Sequence, residues 1–170
     1  MLFRSQDLSF AMGTKSGVML RTLLNRSPEA TAKIRGGSIR GETAFYQLPC
    51  GVLVRAEISG LPEGAPVCGG RIFGFHIHEG GSCTGTREDP LADTDGHYNP
   101  DGCPHPEHAG DLPPLFGNHG FAFTAFLTDR FRVEDVLGKT VIIHDSPDDF
   151  TSQPAGNAGK KIACGVIRRR

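Results

Sequence analysis

Gly51-Val-Leu-Val-Arg-Ala-Glu-Ile-Ser-Gly60 alternates apolar and polar side chains along its length. Successive side chains of a β-strand point to opposite faces, so this pattern predicts a strand with one buried and one solvated face. The predicted buried face consists of Val52, Val54, Ala56 and Ile58. Gly60-Leu-Pro-Glu-Gly64, which follows, has the composition of a turn and would end the strand.

Further strand-like segments recur on both sides of this one. They cover residues 31–35, 43–48, 72–79, 121–127, 140–144 and 162–167, and Phe121, Phe123 and Ala125 share one face of their segment. The chain has 23 glycines and 12 prolines in 170 residues, which favours short strands joined by turns over helices. The pattern therefore predicts an all-β fold, either a sandwich or a barrel.

Length and composition predict one globular domain. A chain of 170 residues can bury a real core, and its 38% hydrophobic and 22% charged residues are ordinary for such a protein. We expect a barrel domain over residues 31–170. Residues 1–30 have weak periodicity and are expected to form a loosely ordered extension, either as one short helix or as a packed arm.

The composition also excludes several kinds of partner. A formal net charge of -1 argues against nucleic acid, and the only dense basic run, residues 168–170, is expected to be a solvated tail. No segment approaches the roughly 18 apolar residues that cross a membrane. Residues 1–22 lack the apolar segment of a signal peptide. The sequence as written therefore predicts a cytoplasmic protein, or a periplasmic or secreted one if an export signal was removed.

The histidines are concentrated in the middle of the chain. About forty residues between Glu79 and Gly120 have no strand or helix period, and a loop of that length is functional or indicates a wrong assignment. Residues 145–160 form a second irregular segment. The stretch from Gly74 to Asp111 contains five of the seven histidines: His76, His78, His97, His105 and His108.

Two patterns of metal ligands can be separated. His76 and His78 are two residues apart on a predicted strand, so their rings share one face, and His144 at the end of another strand could complete an all-imidazole site suited to copper. The alternative is that these strand histidines are only packed. The spacing His97-x7-His105-x2-His108-x2-Asp111 supplies three imidazoles and one carboxylate, which is a tetrahedral zinc set; the alternative here is solvated loop histidines.

Together these residues make the chain resemble the copper/zinc superoxide dismutases, in particular their bacterial members. The resemblance spans about residues 30–168 in the family's order. Its motifs are Gly74-Phe-His-Ile-His-Glu79, Gly96-His-Tyr-Asn-Pro100, His108-Ala-Gly-Asp-Leu112, Val141-Ile-Ile-His144, Asp148-Asp149, Gly156-Asn-Ala-Gly159 and Ala163-Cys-Gly-Val-Ile167.

This resemblance implies an eight-stranded Greek-key β-barrel, an immunoglobulin-like sandwich, with two long functional loops. It also implies two cofactors, copper and zinc. The implied copper ligands are His76, His78, His97 and His144, and the implied zinc ligands are His97, His105, His108 and Asp111. His97 would thus be a shared, bridging imidazole.

The implied activity is the disproportionation of superoxide to oxygen and hydrogen peroxide, which would make the chain an antioxidant oxidoreductase. An imidazole that bridges two cations must lose both N–H protons. When copper is reduced its bond to His97 can break, and the freed nitrogen takes up a proton for the next superoxide. Asp148 matches the family carboxylate that links a copper histidine to a zinc histidine; the alternative is a solvated loop aspartate.

The five cysteines are assigned in the same way. Cys83 and Cys164 match the family's intrasubunit disulfide. Cys50 and Cys68 bracket the strand over residues 52–59 and are expected to lie too far apart to bond to each other. Cys103, two residues before His105, is expected to be a free thiol, with a soft metal ligand as the alternative.

Two features depart from the family pattern. The x2 spacing between His105 and His108 is short, although all four zinc ligands are present. Lys161 stands three residues before Cys164, where the family has an anion-guiding arginine. Lysine keeps the positive charge but lacks the planar fork, so we expect an active but slower enzyme. A surface charge at Lys161 is the alternative, and Lys160 is the second candidate for the guiding role.

Other functions are compatible with part of this pattern. A dismutase-like protein that binds copper and zinc with little turnover would act as a metal buffer. A zinc hydrolase also uses a His-x-His pair, but no aspartate follows His78 at the usual offset. Superoxide is the expected substrate, and the chain is expected to be a monomer or a homodimer. His119 matches no ligand position and is expected to be a loop histidine.

Overall fold

The computed structural model describes residues 14–64 and 71–170. The part of the predicted extension over residues 1–13 lies outside the described residues. The predicted absence of a bond between Cys50 and Cys68 also lies outside them, because Cys68 is not described.

The described residues form nine strands, one α-helix and two short 3₁₀ helices. The helix α1 covers Lys15–Asn25, and the 3₁₀ helices cover Ala92–Thr94 and Val133–Val136. The strands are β1 (Ala30–Gly36), β2 (Ile39–Leu48), β3 (Gly51–Ser59), β4 (Ile72–Phe73), β5 (Phe75–His78), β6 (Leu115–Phe116), β7 (Ala122–Thr128), β8 (Thr140–His144) and β9 (Lys161–Arg169).

Seven of these strands form one curled antiparallel sheet. Its order is β5-β8-β9-β1-β2-β3-β7, and β4 pairs with β6 in a second, two-stranded sheet. The chain therefore crosses from β5 at one edge of the large sheet to β7 at the other, and the long loop after β5 makes this crossing. The all-β prediction is confirmed.

Strand β3 has the predicted alternation. The side chains of Val52, Val54, Ala56 and Ile58 are fully buried in the main core. Strand β3 pairs with β2 over nine residues and with β7 over seven, so it lies inside the sheet and not at its edge. On β7, however, the face shared by Phe121, Phe123 and Ala125 points outward, and Phe123 is 58% exposed.

The predicted strand over residues 72–79 is wrong as a single element. The chain bends at Gly74, so that Phe73 pairs with β6 whereas Phe75 pairs with β8. At this position a Cβ atom would lie 2.8 Å from the Cβ of Ala158, closer than side chains pack. The backbone of Gly74 instead bonds to the second loop, its N–H donating to the Ser146 carbonyl at 2.8 Å.

The helix α1 packs on the outer face of the sheet. Met19 and Leu23 contact a small apolar cluster formed by Ala44, Tyr46, Leu48 and Leu53. Residues 168–169 belong to β9 and pair with β1, so the basic run is a strand end with exposed side chains and not a free tail. Among the described residues, no helix is long and apolar enough to cross a membrane.

Candidate metal centre

Strand β5 brings the two long loops and β8 together at one place. His76 lies opposite Ile142 of β8 and forms an isolated bridge with Asp111. His78 forms a similar bridge with His97. These two bridges hold the first loop against the free edge of β5, so the ligand candidates of the loop lie beside those of the strand.

The four predicted copper ligands converge on one point. One ring nitrogen from each lies within 4.8 Å of the others, and the set is His76, His78, His97 and His144. The ring of His97 lies 4.0 Å from that of His76 and 4.9 Å from that of His78, measured between centroids. These side chains are almost entirely buried, so the site is an enclosed cluster of imidazoles.

Hydrogen bonds decide which nitrogen of each ring faces the centre. His76 donates from Nε2 to Asp148 Oδ2 at 2.8 Å. His78 donates from Nδ1 to the Asp95 carbonyl at 2.7 Å, and His144 donates from Nδ1 to the Gly159 carbonyl at 3.2 Å. The opposite nitrogen of each ring therefore carries a lone pair that points inward.

The inward-facing lone pairs lack protein partners. His78 Nε2 and His144 Nε2 face each other at 3.3 Å, an arrangement of two acceptors that favours a shared cation. Six buried side-chain polar atoms in residues 14–64 and 71–170 have no hydrogen-bond partner, and four of them are ring nitrogens of this cluster. Those four are His76 Nδ1, His97 Nε2, His105 Nδ1 and His108 Nδ1. Because buried polar atoms are normally satisfied, these nitrogens fit metal ligands.

The predicted zinc ligands surround one carboxylate. Oxygens of Asp111 lie 2.7 Å from His97 Nδ1, 3.0 Å from His105 Nδ1 and 3.3 Å from His108 Nδ1. One ligand atom from each of the four residues lies within 4.8 Å of the others. Three nitrogens and one carboxylate oxygen fit a tetrahedral zinc ion. His97 is the one residue that belongs to both sets among the described residues.

Asp148 forms hydrogen bonds with one histidine of each candidate set. Its Oδ2 accepts from His76 at 2.8 Å, and its Oδ1 accepts from His105 Nε2 at 2.9 Å. The backbone N–H of Phe150 also donates to Oδ1, at 2.7 Å. This single carboxylate therefore contacts one ring of each candidate set.

Burial keeps the rings of His78 and His144 neutral. It is the main reason why the pKa of His78 falls to about 2 and the pKa of His144 to about 3, and the proximity of other histidines and of Lys161 contributes to both values. Burial of Asp148 would raise its pKa, but the bonds from His76, Phe150 and His105 outweigh it and lower that pKa to about 2. Neutral rings and an ionised carboxylate are the protonation states that metal binding needs.

Lys161 is placed at the copper side of the cluster. It is the first residue of β9, opposite His144. Its ammonium group donates to the carbonyls of Asp95 at 3.1 Å and Leu91 at 3.3 Å. The carbonyl of Asp95 thus accepts from both Lys161 and His78, which links the position of the cation to that of a candidate copper ligand.

Asp95 has a strained backbone. Its dihedral angles are φ 60° and ψ -156°, a region that is essentially restricted to glycine. This conformation directs the carbonyl of Asp95 towards His78 and Lys161. Part of the strain is offset by the bond from the N–H of Gly96 to Asp95 Oδ1 at 2.9 Å.

We expect Asp95→Gly to stabilise the metal-free protein. Relief of strain is worth about 1–3 kcal/mol, and the greater freedom of glycine in the unfolded chain offsets about 0.4–1 kcal/mol of it. The net gain of about 1 kcal/mol should raise the melting temperature by about 2–4 °C in a circular-dichroism melt. Asp95→Ala keeps the Cβ atom and should show no such gain. A glycine variant that melts at or below the wild type would contradict the strain.

The cysteines follow the expected assignment where they are described. Cys83 and Cys164 form a disulfide that closes 81 residues, with their Cα atoms 5.7 Å apart. Cys50 and Cys103 are free thiols, and Cys103 is not a member of the zinc set. His119 is exposed in a turn away from the cluster, as expected.

Sequence reasoning missed four groups that contact the candidate ligands. The carbonyls of Asp95 and Gly159 orient two copper candidates, and no sequence pattern identifies a carbonyl. The side chains of Arg130 and Gln153 bond to the backbone of the zinc segment, residues 105–111. Arg130 lies two residues beyond the end of β7 and Gln153 lies in the second loop, so both are distant from the segment in the sequence.

Comparisons with known proteins agree with this geometry. The family model described as "Copper/zinc superoxide dismutase (SODC)" matches residues 39–167. The chain is 35% identical over 176 aligned positions to "Superoxide dismutase [Cu-Zn] 2" of Aquifex aeolicus, covering 90% of this chain and 98% of that protein.

Two further similarities carry other names. The chain is 34% identical over 155 positions to the "Copper chaperone for superoxide dismutase" of Mus musculus, covering 82% of this chain and 53% of that protein. Among solved structures, that of the clock protein EA4 is similar with a TM-score of 0.71 and 29% identity, covering 85% of this chain and 96% of that one.

Proposed function

Since this chain belongs to the copper/zinc superoxide dismutase family, we propose that its two histidine clusters bind copper and zinc and catalyse superoxide dismutation. In this proposal His76, His78, His97 and His144 bind copper. His97, His105, His108 and Asp111 bind zinc, with His97 common to both ions.

One observation carries the proposal: buried ring nitrogens without partners converge at two adjacent points that share the ring of His97. In a sequence of unrelated function, burial of so many unsatisfied nitrogens would cost free energy without compensation. Copper supplies one-electron redox chemistry when bound, and zinc, which does not change oxidation state, holds the other side of the shared ring.

The residues of the chain have separate roles in the reaction. Two superoxide anions and two protons give one molecule of oxygen and one of hydrogen peroxide, so protons must be supplied. His97 holds one of these protons at Nε2 when that nitrogen is free. Lys161 attracts the anion through its charge, and Asp148 orients His76 and His105 through hydrogen bonds.

The test is superoxide consumption per bound copper in protein reconstituted with both metals. We expect turnover that depends on copper. If superoxide disappears no faster than it does in buffer without protein, at full copper occupancy, the catalytic function is rejected while metal binding remains intact.

A second candidate is a metal-handling protein with little turnover. The relative named a copper chaperone shows that chains similar to this one carry a name other than dismutase. The same measurement separates the two functions, because a buffer or carrier would hold one copper per chain without consuming superoxide. Copper transfer to a chelator would then be the activity to measure.

We expect Lys161→Arg to raise the rate of dismutation. Arginine keeps the charge and adds a planar pair of donors that can orient an anion. One added hydrogen bond is worth about 1 kcal/mol, or on the order of a fivefold increase in kcat/KM. The rate is measured by pulse radiolysis on copper-loaded protein.

Lys160→Arg is the matched control for this prediction. Lys160 is the exposed neighbour of Lys161, whereas the side chain of Lys161 donates to the carbonyls of Leu91 and Asp95. An unchanged or lower rate in Lys161→Arg would count against its guiding role. A gain in Lys160→Arg alone would transfer that role to Lys160.

A further inference from the structure

The zinc segment, residues 105–111, is short and makes few bonds of its own. It presents three of the four candidate zinc ligands within seven residues. Its internal backbone bond joins the Asp111 N–H to the His108 carbonyl at 3.1 Å. Carbonyls of the segment also accept bonds from outside it, as the Gly110 carbonyl does from the Ile77 N–H at 2.8 Å, because buried backbone oxygens are rarely left unpaired.

Arg130 donates to the carbonyls of this segment from one side. Its Nη1 lies 2.9 Å from the Pro106 carbonyl, 3.1 Å from that of His108 and 3.3 Å from that of Asp111. One guanidinium nitrogen thus contacts carbonyls of three residues, two of which are candidate ligands. A cation at this point fixes the turn through charge-assisted bonds, which are stronger than neutral ones.

Gln153 holds the segment from the other side. Its Nε2 donates to the His105 carbonyl at 2.7 Å, and its Oε1 accepts from the His105 N–H at 2.9 Å. This paired contact needs a donor and an acceptor on one side chain, which a carboxamide provides and a carboxylate does not. The ring of His105 is held separately by Asp148 at 2.9 Å.

The second loop keeps Gln153 in place. The carboxylate of Asp149 accepts bonds from the N–H groups of Thr151 and Ser152 at 2.9 and 2.8 Å, which closes the turn just before Gln153. The neighbouring Asp148 contacts His76 as well as His105. Two residues of the second loop therefore contact His105: Gln153 bonds to its backbone, and Asp148 bonds to its imidazole ring.

We propose that Arg130 and Gln153 are positioning residues that hold residues 105–111 in the zinc-binding conformation. This inference rests on the proposed function, because it takes residues 105–111 as the zinc segment. Neither side chain touches the metal, so both act through the ligands.

The experiment measures zinc affinity in the full chain. The protein is first given one equivalent of copper(I) to fill the all-imidazole set, and zinc is then titrated against a competing chelator. Arg130→Met and Gln153→Glu are the test variants, and the second keeps the size and the acceptor oxygen of glutamine. Arg132→Met is the matched control, because Arg132 is exposed and paired with Glu134 on the surface.

We expect zinc affinity to fall about tenfold or more in each test variant, the effect of removing groups that orient metal ligands. Arg132→Met should stay within about twofold of the wild type. Cobalt(II) in the zinc site should show altered visible absorption in the test variants, because the ligand geometry changes. Arg130→Lys keeps the charge but lacks the planar guanidinium group, and it should show a smaller loss of zinc affinity than Arg130→Met. It replaces Arg130→Met in the test if the methionine variant does not fold.

Three results would overturn the inference. The first is a zinc affinity in both test variants that equals that of the wild type. The second is a lower melting temperature in the test variants with an unchanged zinc affinity and an unchanged cobalt spectrum. Failure of the wild type to bind zinc at all would overturn it together with the proposed zinc site. That last failure is seen in the unsubstituted chain, so it is distinguishable from the first two.

Discussion

His97→Ala is expected to lower superoxide consumption per chain by at least about a hundredfold. His97 is the residue shared by the two candidate metal sets, and its two nitrogens point to different centres. Nδ1 lies 2.7 Å from Asp111 Oδ1, whereas Nε2 is buried without a partner. Alanine removes one ligand from each set and also the nitrogen proposed to hold a proton, so binding and proton supply fail together.

The measurement combines metal content with activity. After dialysis, we expect the His97→Ala protein to retain less than one equivalent of each metal per chain. We also expect a low rate of superoxide consumption per copper ion that remains bound. His119→Ala is the matched control, since that histidine is exposed in a turn and belongs to neither set. A His97→Ala protein that is folded, fully metallated and more than about a tenth as active as the wild type would contradict the bridging role.

The strands and the histidine cluster were predictable because each rests on a local pattern. The alternation in residues 51–60 is a two-residue period, which a strand with one buried face imposes directly. The separation of His76 from His78 by one residue places both rings on one face for the same reason. Such inferences need only the geometry of the strand, and they predict β3 and two members of the candidate copper set.

Other features depend on contacts between distant parts of the chain. The bend at Gly74 follows from the close approach of Ala158 and from bonds to Ser146, which no strand period reveals. The helix α1 has a narrow apolar face, Met19 and Leu23, whose burial depends on a cluster on β2 and β3. Tertiary packing therefore decides these elements.

The candidate site shows the same division. Histidine ligands are chemically distinctive, so the sequence predicts which histidines cluster as candidate metal ligands. The groups that orient them are not distinctive: Gln153 contacts His105 across 48 residues, and Arg130 contacts the Pro106 carbonyl across 24. A glutamine or an arginine in a loop has no pattern of its own. Only the fold reveals that these side chains meet the zinc segment.

Replacing both Cys83 and Cys164 with serine is expected to lower the free energy of unfolding by about 4 kcal/mol. The disulfide closes 81 residues, and in the chain-entropy model a loop of this length restricts the unfolded chain by about that amount. The melting temperature should fall by about 8–16 °C for a protein of this size. Chemical denaturation followed by circular dichroism measures the change.

The same substitution is expected to affect the copper side. Cys83 lies in the first loop and Cys164 in β9, close to Lys161, so the bond holds together the two elements that meet at the Asp95 carbonyl. Without it, the contact from Lys161 to Asp95 should loosen and the rate should fall with stability. Cys50→Ser removes an exposed free thiol and should change neither property. A free energy of unfolding within about 1 kcal/mol of the wild-type value in the double variant would contradict this prediction.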